Sequence, residues 1–170
     1  MKCTHGDILR VQSEAVVNTV NCVGLMGKGI ALQFRNAYPN NFRAYQKACK
    51  VGDVQPGRMF VFETGLLIGP RFIINFPTKR HWSEKSRMND IEEGLKSLRS
   101  EIEELGVRSI AIPPLGCGFG GLNWPEVKKL IVTHLGGMVG VEILIYEPSG
   151  AQDAKGMGHQ KKGRSSRGKE

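Results

Sequence analysis

Four short segments of this chain carry residue types able to do chemistry. Two are glycine-rich: Asn21-Cys22-Val23-Gly24-Leu25-Met26-Gly27-Lys28-Gly29-Ile30 and Pro113-Pro114-Leu115-Gly116-Cys117-Gly118-Phe119-Gly120-Gly121-Leu122. Each follows a β-type run and precedes a helical pattern, so its amide N–H groups can converge on an anion with a helix N-terminus behind it. Neither fits a common nucleotide motif in its proper setting. Gly29 follows Lys28 where a Walker loop needs Ser or Thr to hold magnesium. Gly116, Gly118 and Gly121 match G-x-G-x-x-G, but a dinucleotide fold needs an acidic residue after the next strand and several strands more, and only Val141 to Tyr146 remains. From the residues alone each loop is either a phosphate cradle or a set of tight turns that need positive φ.

The third segment, Thr78-Lys79-Arg80-His81-Trp82, directly follows a strand ending Asn75-Phe76-Pro77. If the strands run parallel, it emerges on the same rim as the glycine loops; otherwise it is a solvated basic loop. In the fourth, His5-Gly6-Asp7-Ile8, Asp7 can accept a hydrogen bond from an exocyclic amine and Ile8 can pack on a base. The alternative there is an ordinary Gly-Asp turn. Cys3, Cys22, Cys49 and Cys117 are scattered without close pairing, which predicts reduced thiols and no metal site.

The elements that must position these segments alternate between strand and helix. Ala15 to Val20 is rich in branched residues and reads as a buried strand feeding the first glycine loop. Gly29 to Ala37 and Asn41 to Lys50 read as helices separated by Tyr38-Pro39-Asn40. Met59 to Glu63 and Phe72 to Phe76 read as strands joined across Gly65 and Gly69-Pro70. Asn89 is the expected cap of a helix to Leu105, with Ile91, Leu95, Leu98, Ile102 and Leu105 on one face and Gly106 as its C-cap. Arg108 to Ile112 is a further strand, Asn123 caps a helix with Pro125 near its start, and Val141 to Tyr146 is the last strand. The pattern predicts one α/β domain, a three-layer α/β/α sandwich, with ligands at the carboxyl ends of the strands.

The 170 residues carry 24 Lys and Arg against 16 Asp and Glu, a formal charge of +8. Six of the basic residues fall between Ser149 and Glu170, a segment without apolar periodicity. The expected division is therefore a domain over residues 1–148 and a basic, disordered tail or linker over 149–170. No apolar run is long enough to span a bilayer and the N-terminus lacks a signal-type stretch, so a soluble cytoplasmic protein without a membrane partner is expected. The 40% apolar content excludes disorder throughout.

Gly-Asp-Ile near the start, Val-Val-Asn-Thr-Val-Asn entering a glycine loop, and Pro-Pro-Leu-Gly-Cys-Gly-Phe-Gly-Gly-Leu-Asn-Trp before the last helix together resemble the macrodomain family. The resemblance covers nearly all of residues 1–148 and implies the macrodomain sandwich with a mixed central sheet and ADP-ribose as ligand. The stretch Asn21 to Gly29 with the following Ala-Leu-Gln-Phe-Arg, and Asn75 to Lys79, look most like the branch that removes terminal ADP-ribose with a lysine. That branch includes the DarG antitoxin macrodomains, which act on thymidine in DNA. By the resemblance Asp7 and Ile8 hold the adenine, and Thr19, Val20 and Asn21 reach the distal ribose. Gly27, Gly29, Ile30, Gln33 and Thr78 complete that pocket. Gly116, Cys117, Gly118, Phe119 and Gly120 wrap the diphosphate. Lys79 becomes the catalytic residue with Asn21 orienting the sugar. No cofactor is implied; the partners implied are ADP-ribosylated DNA and a DarT-type toxin, contacted through a region not seen in this chain. Protein-directed members of the branch carry an Asp in the second glycine loop, and no acid lies between Pro113 and Trp124 here.

Cleavage of an N-glycosidic bond passes through an oxocarbenium-like transition state, and the usual carboxylate pair is not evident in these loops. A neutral amine can substitute for it as a nucleophile toward the sugar carbon or the opened aldehyde. A free lysine has a pKa of about 10.4, so lowering it to about 7–8 asks for roughly 3–5 kcal/mol of destabilisation of the charge. Arg80, a protonated His81 and partial burial are the expected sources. Four functions fit: a DNA ADP-ribosyl glycohydrolase, a reader that binds ADP-ribose without turnover, a hydrolase of protein-linked ADP-ribose, and a plain nucleic-acid binder with Trp82 and Phe119 stacking on bases.

Overall fold

A computed structural model of the chain describes residues 1–150; the expected basic tail lies, past Gly150, outside the described residues. Strands β1 (Lys2–Thr4), β2 (Ala15–Val20), β3 (Phe60–Glu63), β4 (Phe72–Pro77), β5 (Ser109–Ile112) and β6 (Glu142–Tyr146) form one sheet in the order β1-β6-β5-β2-β4-β3. Five strands are parallel, and β3 pairs antiparallel with β4 as an edge strand. The sheet is therefore mixed, as the macrodomain resemblance implies.

Alternation along the strands explains the layering. Ala15 and Val17 of β2, Ile74 and Phe76 of β4, and Ile110 and Ile112 of β5 face one side. There they meet Ile91, Leu95, Leu98 and Ile102 of α3 (Met88–Leu105) and Val127, Ile131 and Leu135 of α4 (Trp124–Leu135). Val16, Ile73 and Ala111 face the other side, against Phe34 of α1 (Gly29–Ala37), and Val20 packs on Tyr45 and Ala48 of α2 (Pro39–Lys50). Both faces are covered, which is why these strands read as apolar runs rather than alternating ones. Gly94 lets α3 lie flat on the sheet, since a Cβ there would stand 2.3 Å from the Phe76 ring.

Polar residues interrupt the α2 face at one point. Asn18 and Asn75, directly opposite on β2 and β4, join through Asn18 Nδ2 and Asn75 Oδ1 at 3.1 Å. Asn75 also exchanges hydrogen bonds with Asn41 of α2 and donates to the Phe60 carbonyl. All three amides are fully buried, so this lattice fixes the register of β2, β3, β4 and α2 beneath the cleft.

Strands β3, β5 and β6 each start one residue later than expected, and two helix starts differ. α2 opens at Pro39 rather than Asn41, with Tyr38 as the shared end of both helices, because the fixed φ of proline suits the first helical position. α3 opens at Met88 with Arg87 at the cap position, so Asn89 lies inside the first turn and caps nothing. The half-buried Met88 packs on the core and draws the helix start back by two residues. Gly106 is a left-handed C-cap at φ +63°, and Asn123 caps α4 by accepting the Glu126 N–H, both as the sequence predicts. Among the described residues no helix is long and apolar enough to cross a membrane.

Candidate functional site: a cleft at the carboxyl ends of the strands

The loops after β2 and β5 leave neighbouring parallel strands toward opposite faces, because α1 and α4 pack on different sides. Their divergence opens a cleft of about 770 Å3 at the carboxyl edge of the sheet. Such switch points are where α/β sheets bind ligands. All four segments singled out in the sequence reach this cleft.

Asp7 and Ile8 form one end, beside Tyr146 and Glu147. Ile8 is buried, and one Asp7 oxygen accepts the Leu9 N–H at 3.0 Å, capping a single 3-10 turn. The Glu147 carboxylate is held by Lys128 at 2.6 Å and His5 at 3.3 Å, and the Lys128 hydrogen bond keeps it below the ordinary carboxylate range.

The first glycine loop forms the opposite wall, with Thr19, Val20 and Asn21 leading in and Gly27, Gly29, Ile30 and Gln33 at the start of α1. Asn21 is more constrained than its expected role in orienting a sugar. Its Oδ1 accepts from Val23 N–H at 3.0 Å, Leu25 N–H at 3.4 Å and the Tyr45 hydroxyl at 2.8 Å, while Nδ2 donates to the Leu25 carbonyl at 2.8 Å. The side chain thus builds the loop, and one Nδ2 hydrogen remains for a ligand. Tyr45 of α2, which the sequence does not single out, is the anchor, donating also toward the Asn21 carbonyl at 2.7 Å.

The second glycine loop contributes Gly116, Gly118, Phe119 and Gly120. Among the described residues the N–H groups of Gly118, Phe119 and Gly120 have no protein acceptor, as an anion cradle requires. Cys117 stands apart from its expected diphosphate role. Its N–H donates to the Pro114 carbonyl, its thiol turns toward Leu115, and burial pushes that thiol up to about 11. Behind this loop Ser86 donates its N–H to Gly120 O, and a Cβ on Gly120 would stand 2.2 Å from the Ser86 hydroxyl. Phe119 closes over the first loop, 3.4 Å from where a Gly29 Cβ would be.

Between the two walls runs the segment after β4. Thr78 N–H bonds the Val20 carbonyl and Cys22 N–H bonds the Arg80 carbonyl, so this segment is stitched to the first loop. Thr78 is buried and Lys79 half-buried, both lining the cleft. Lys79 Nζ lies 3.4 Å from the Trp82 carbonyl and 5.9 Å from the Phe119 ring centre. Its pKa is lowered by burial first, then by the positive charges of Lys85 and Lys28. The expected depressants, Arg80 and His81, play no such part. Arg80 is bound through two nitrogens to both oxygens of Asp90 at 3.1 Å, and the His81 ring engages Ser83. Cys22, whose thiol meets the Lys79 carbonyl, is raised to about 11 mainly by burial and stays a neutral thiol.

The charges are sorted along the cleft. Asp7 pairs with Arg10, Glu147 with Lys128, and Glu84 with Arg87. Among the described residues Lys28, Lys79 and Lys85 meet no carboxylate, and no group of three or more His, Cys, Asp or Glu gathers as a metal ion would need. A half-buried amine that lines one cleft with three unpartnered amides can help bind a diphosphate and attack a carbon electrophile.

The chain is similar in sequence and fold to known proteins. A DNA ADP-ribosyl glycohydrolase of Thermus aquaticus is 57% identical over 148 residues, covering 87% of this chain and 41% of that protein. The chain spans 41–42% of the length of this and other curated DNA ADP-ribosyl glycohydrolases it matches. The macrodomain of Mycobacterium tuberculosis DarG superposes with a TM-score of 0.85 at 53% identity, covering 87% of this chain and 99% of that one. Thermosipho africanus DarTG in complex with ADP-ribose follows at a TM-score of 0.80 and 30% identity, covering 86% of this chain and 41% of that one. The Macro domain signature itself matches residues 17–131, from the middle of β2 to the middle of α4, and on this fold, cleft and sequence the chain belongs to the Macro domain family.

Proposed function

We propose that residues 1–148 form a DNA ADP-ribosyl glycohydrolase that removes ADP-ribose from thymidine in single-stranded DNA, with Lys79 as the reacting amine. The observation that carries this reading is the placement of Lys79: a half-buried amine between two glycine loops, its pKa lowered, with the nearby lysines unpaired. The similarity to DNA ADP-ribosyl glycohydrolases supports the substrate, and the similarity to Thermosipho africanus DarTG in complex with ADP-ribose supports the ligand.

In this reading Asp7 and Ile8 hold the adenine, the free amides of Gly118 to Gly120 take the diphosphate, and Thr19, Gly27, Gln33 and Thr78 surround the distal ribose. The neutral Lys79 amine attacks the anomeric carbon. The bond from that carbon to the base nitrogen breaks with its electron pair on the thymine, which takes up a proton, and water then displaces the amine to release ADP-ribose. Asn21 shapes the ribose wall with its loop and offers its last N–H to the sugar. The biological counterpart is a DarT-type toxin whose modification this activity reverses in the cytoplasm. Incubation with a thymidine-ADP-ribosylated oligonucleotide beside an ADP-ribosylated glutamate peptide tests the reading. Free ADP-ribose is expected from the oligonucleotide; release from the peptide alone, or from neither, would refute it.

A further inference from the structure

Trp82 touches the Lys79 side chain, and the mechanism leaves its indole unused. Its carbonyl accepts the Lys79 ammonium, while its indole is 53% exposed although Trp is seldom left so open on a protein surface. It borders the cleft at the reacting end, next to the His81 ring at a centroid distance of 5.2 Å. Leu25, on the first glycine loop, lines the same cleft and is 49% exposed. The ammonium groups of Lys28 and Lys85 line the same cleft, the first 5.7 Å from the Phe119 ring centre and the second 3.4 Å from the Phe119 carbonyl, and neither meets a carboxylate among the described residues.

Open aromatic surface beside unpaired cations is the combination by which proteins hold single-stranded nucleic acid. The charge favours a polyanion over a protein partner. ADP-ribose brings two negative charges, already matched by the amides of the second loop, whereas each flanking nucleotide brings one more phosphate to a cleft whose acids are all paired.

We propose that Trp82 is the stacking platform for the nucleobase adjoining the modified thymidine, with Lys28 taking the intervening backbone phosphate. The inference rests on the DNA glycohydrolase reading and adds to it the strand's path: out of the cleft past Trp82 and Leu25, away from the Asp7 end. Stacking here selects a nucleic-acid strand without reading its sequence, because every base has a face to offer.

The test compares a thymidine-ADP-ribosylated pentanucleotide with ADP-ribosyl-thymidine as a single nucleoside. For Trp82→Ala the loss of kcat/KM on the pentanucleotide should exceed the loss on the nucleoside by about tenfold, within what one base stack contributes. The loss should fall in KM with kcat little changed, and Trp82→Phe should restore most of it. Equal losses on the two substrates, or a loss in kcat alone, would overturn the platform while leaving the hydrolase reading intact. A binding arm separates the two ideas in the other direction. In a Lys79→Ala background, adding Trp82→Ala should weaken the pentanucleotide about tenfold more than free ADP-ribose, whether or not the parent protein turns over. No difference between those ligands would again overturn it.

Discussion

Lys79 illustrates how little of a residue's chemistry is written in its immediate neighbours in sequence. The adjoining Arg80 and His81 are the obvious charges, yet Arg80 is committed to Asp90, and the amine is lowered by burial first and then by Lys85 and Lys28, from the same segment and from across the cleft. Lys79→Ala should keep ADP-ribose affinity within about tenfold while hydrolysis of ADP-ribosylated DNA falls by orders of magnitude, measured by calorimetry and by release of free ADP-ribose. Because a neighbouring positive charge depresses an ammonium pKa, removing one restores it. Lys85→Gln should therefore shift the rising limb of the pH–rate profile to higher pH and reduce turnover at neutral pH, and added salt should move the parent enzyme the same way. A limb that stays in place would detach Lys85 from the amine. Asn21 teaches the complementary lesson: its type and place were legible, but its anchor Tyr45 lies 24 positions away and only the fold reveals it.

At the scale of elements, the strands and the amphipathic helices were readable because their periodicities are set by burial on two faces. The starts of α2 and α3 were not, since a proline or a packed methionine can open a helix ahead of the better capping residue. The segment between β4 and α3 has no periodicity to read; it is held by tertiary bonds, of which the Arg80–Asp90 pair is the strongest. Asp90 is buried in the first turn of α3, where a carboxylate also suits the helix dipole. Asp90→Ala should cost about 1.5–3 kcal/mol in denaturant unfolding and lower kcat by loosening the backbone beside Lys79. A variant of unchanged stability would mean that the pair is ornamental. The glycine loops follow the same logic. Their composition announced turns, but the close approach of Gly120 to Ser86 that fixes the second loop depends on a residue 34 positions earlier.

For the whole molecule, charge is the property the sequence advertises most loudly and locates least well. Half of the +8 belongs to residues 149–170, and the cleft's own basic character comes from three lysines. A chain cut after residue 148 should keep its unfolding free energy within about 0.5 kcal/mol and still release ADP-ribose, while its binding to unmodified DNA should show a shallower salt slope. Loss of folding on that cut would move the domain boundary. The pairing of every acid at the Asp7 and Glu147 end with a base, against the bare ammoniums at the other, has a last implication. It gives the groove a polarity, so a molecule with a neutral heterocycle at one extremity and a phosphorylated polymer at the other has a single energetically sensible way round to lie in it. Orientation is thereby settled before any atom reaches the amine.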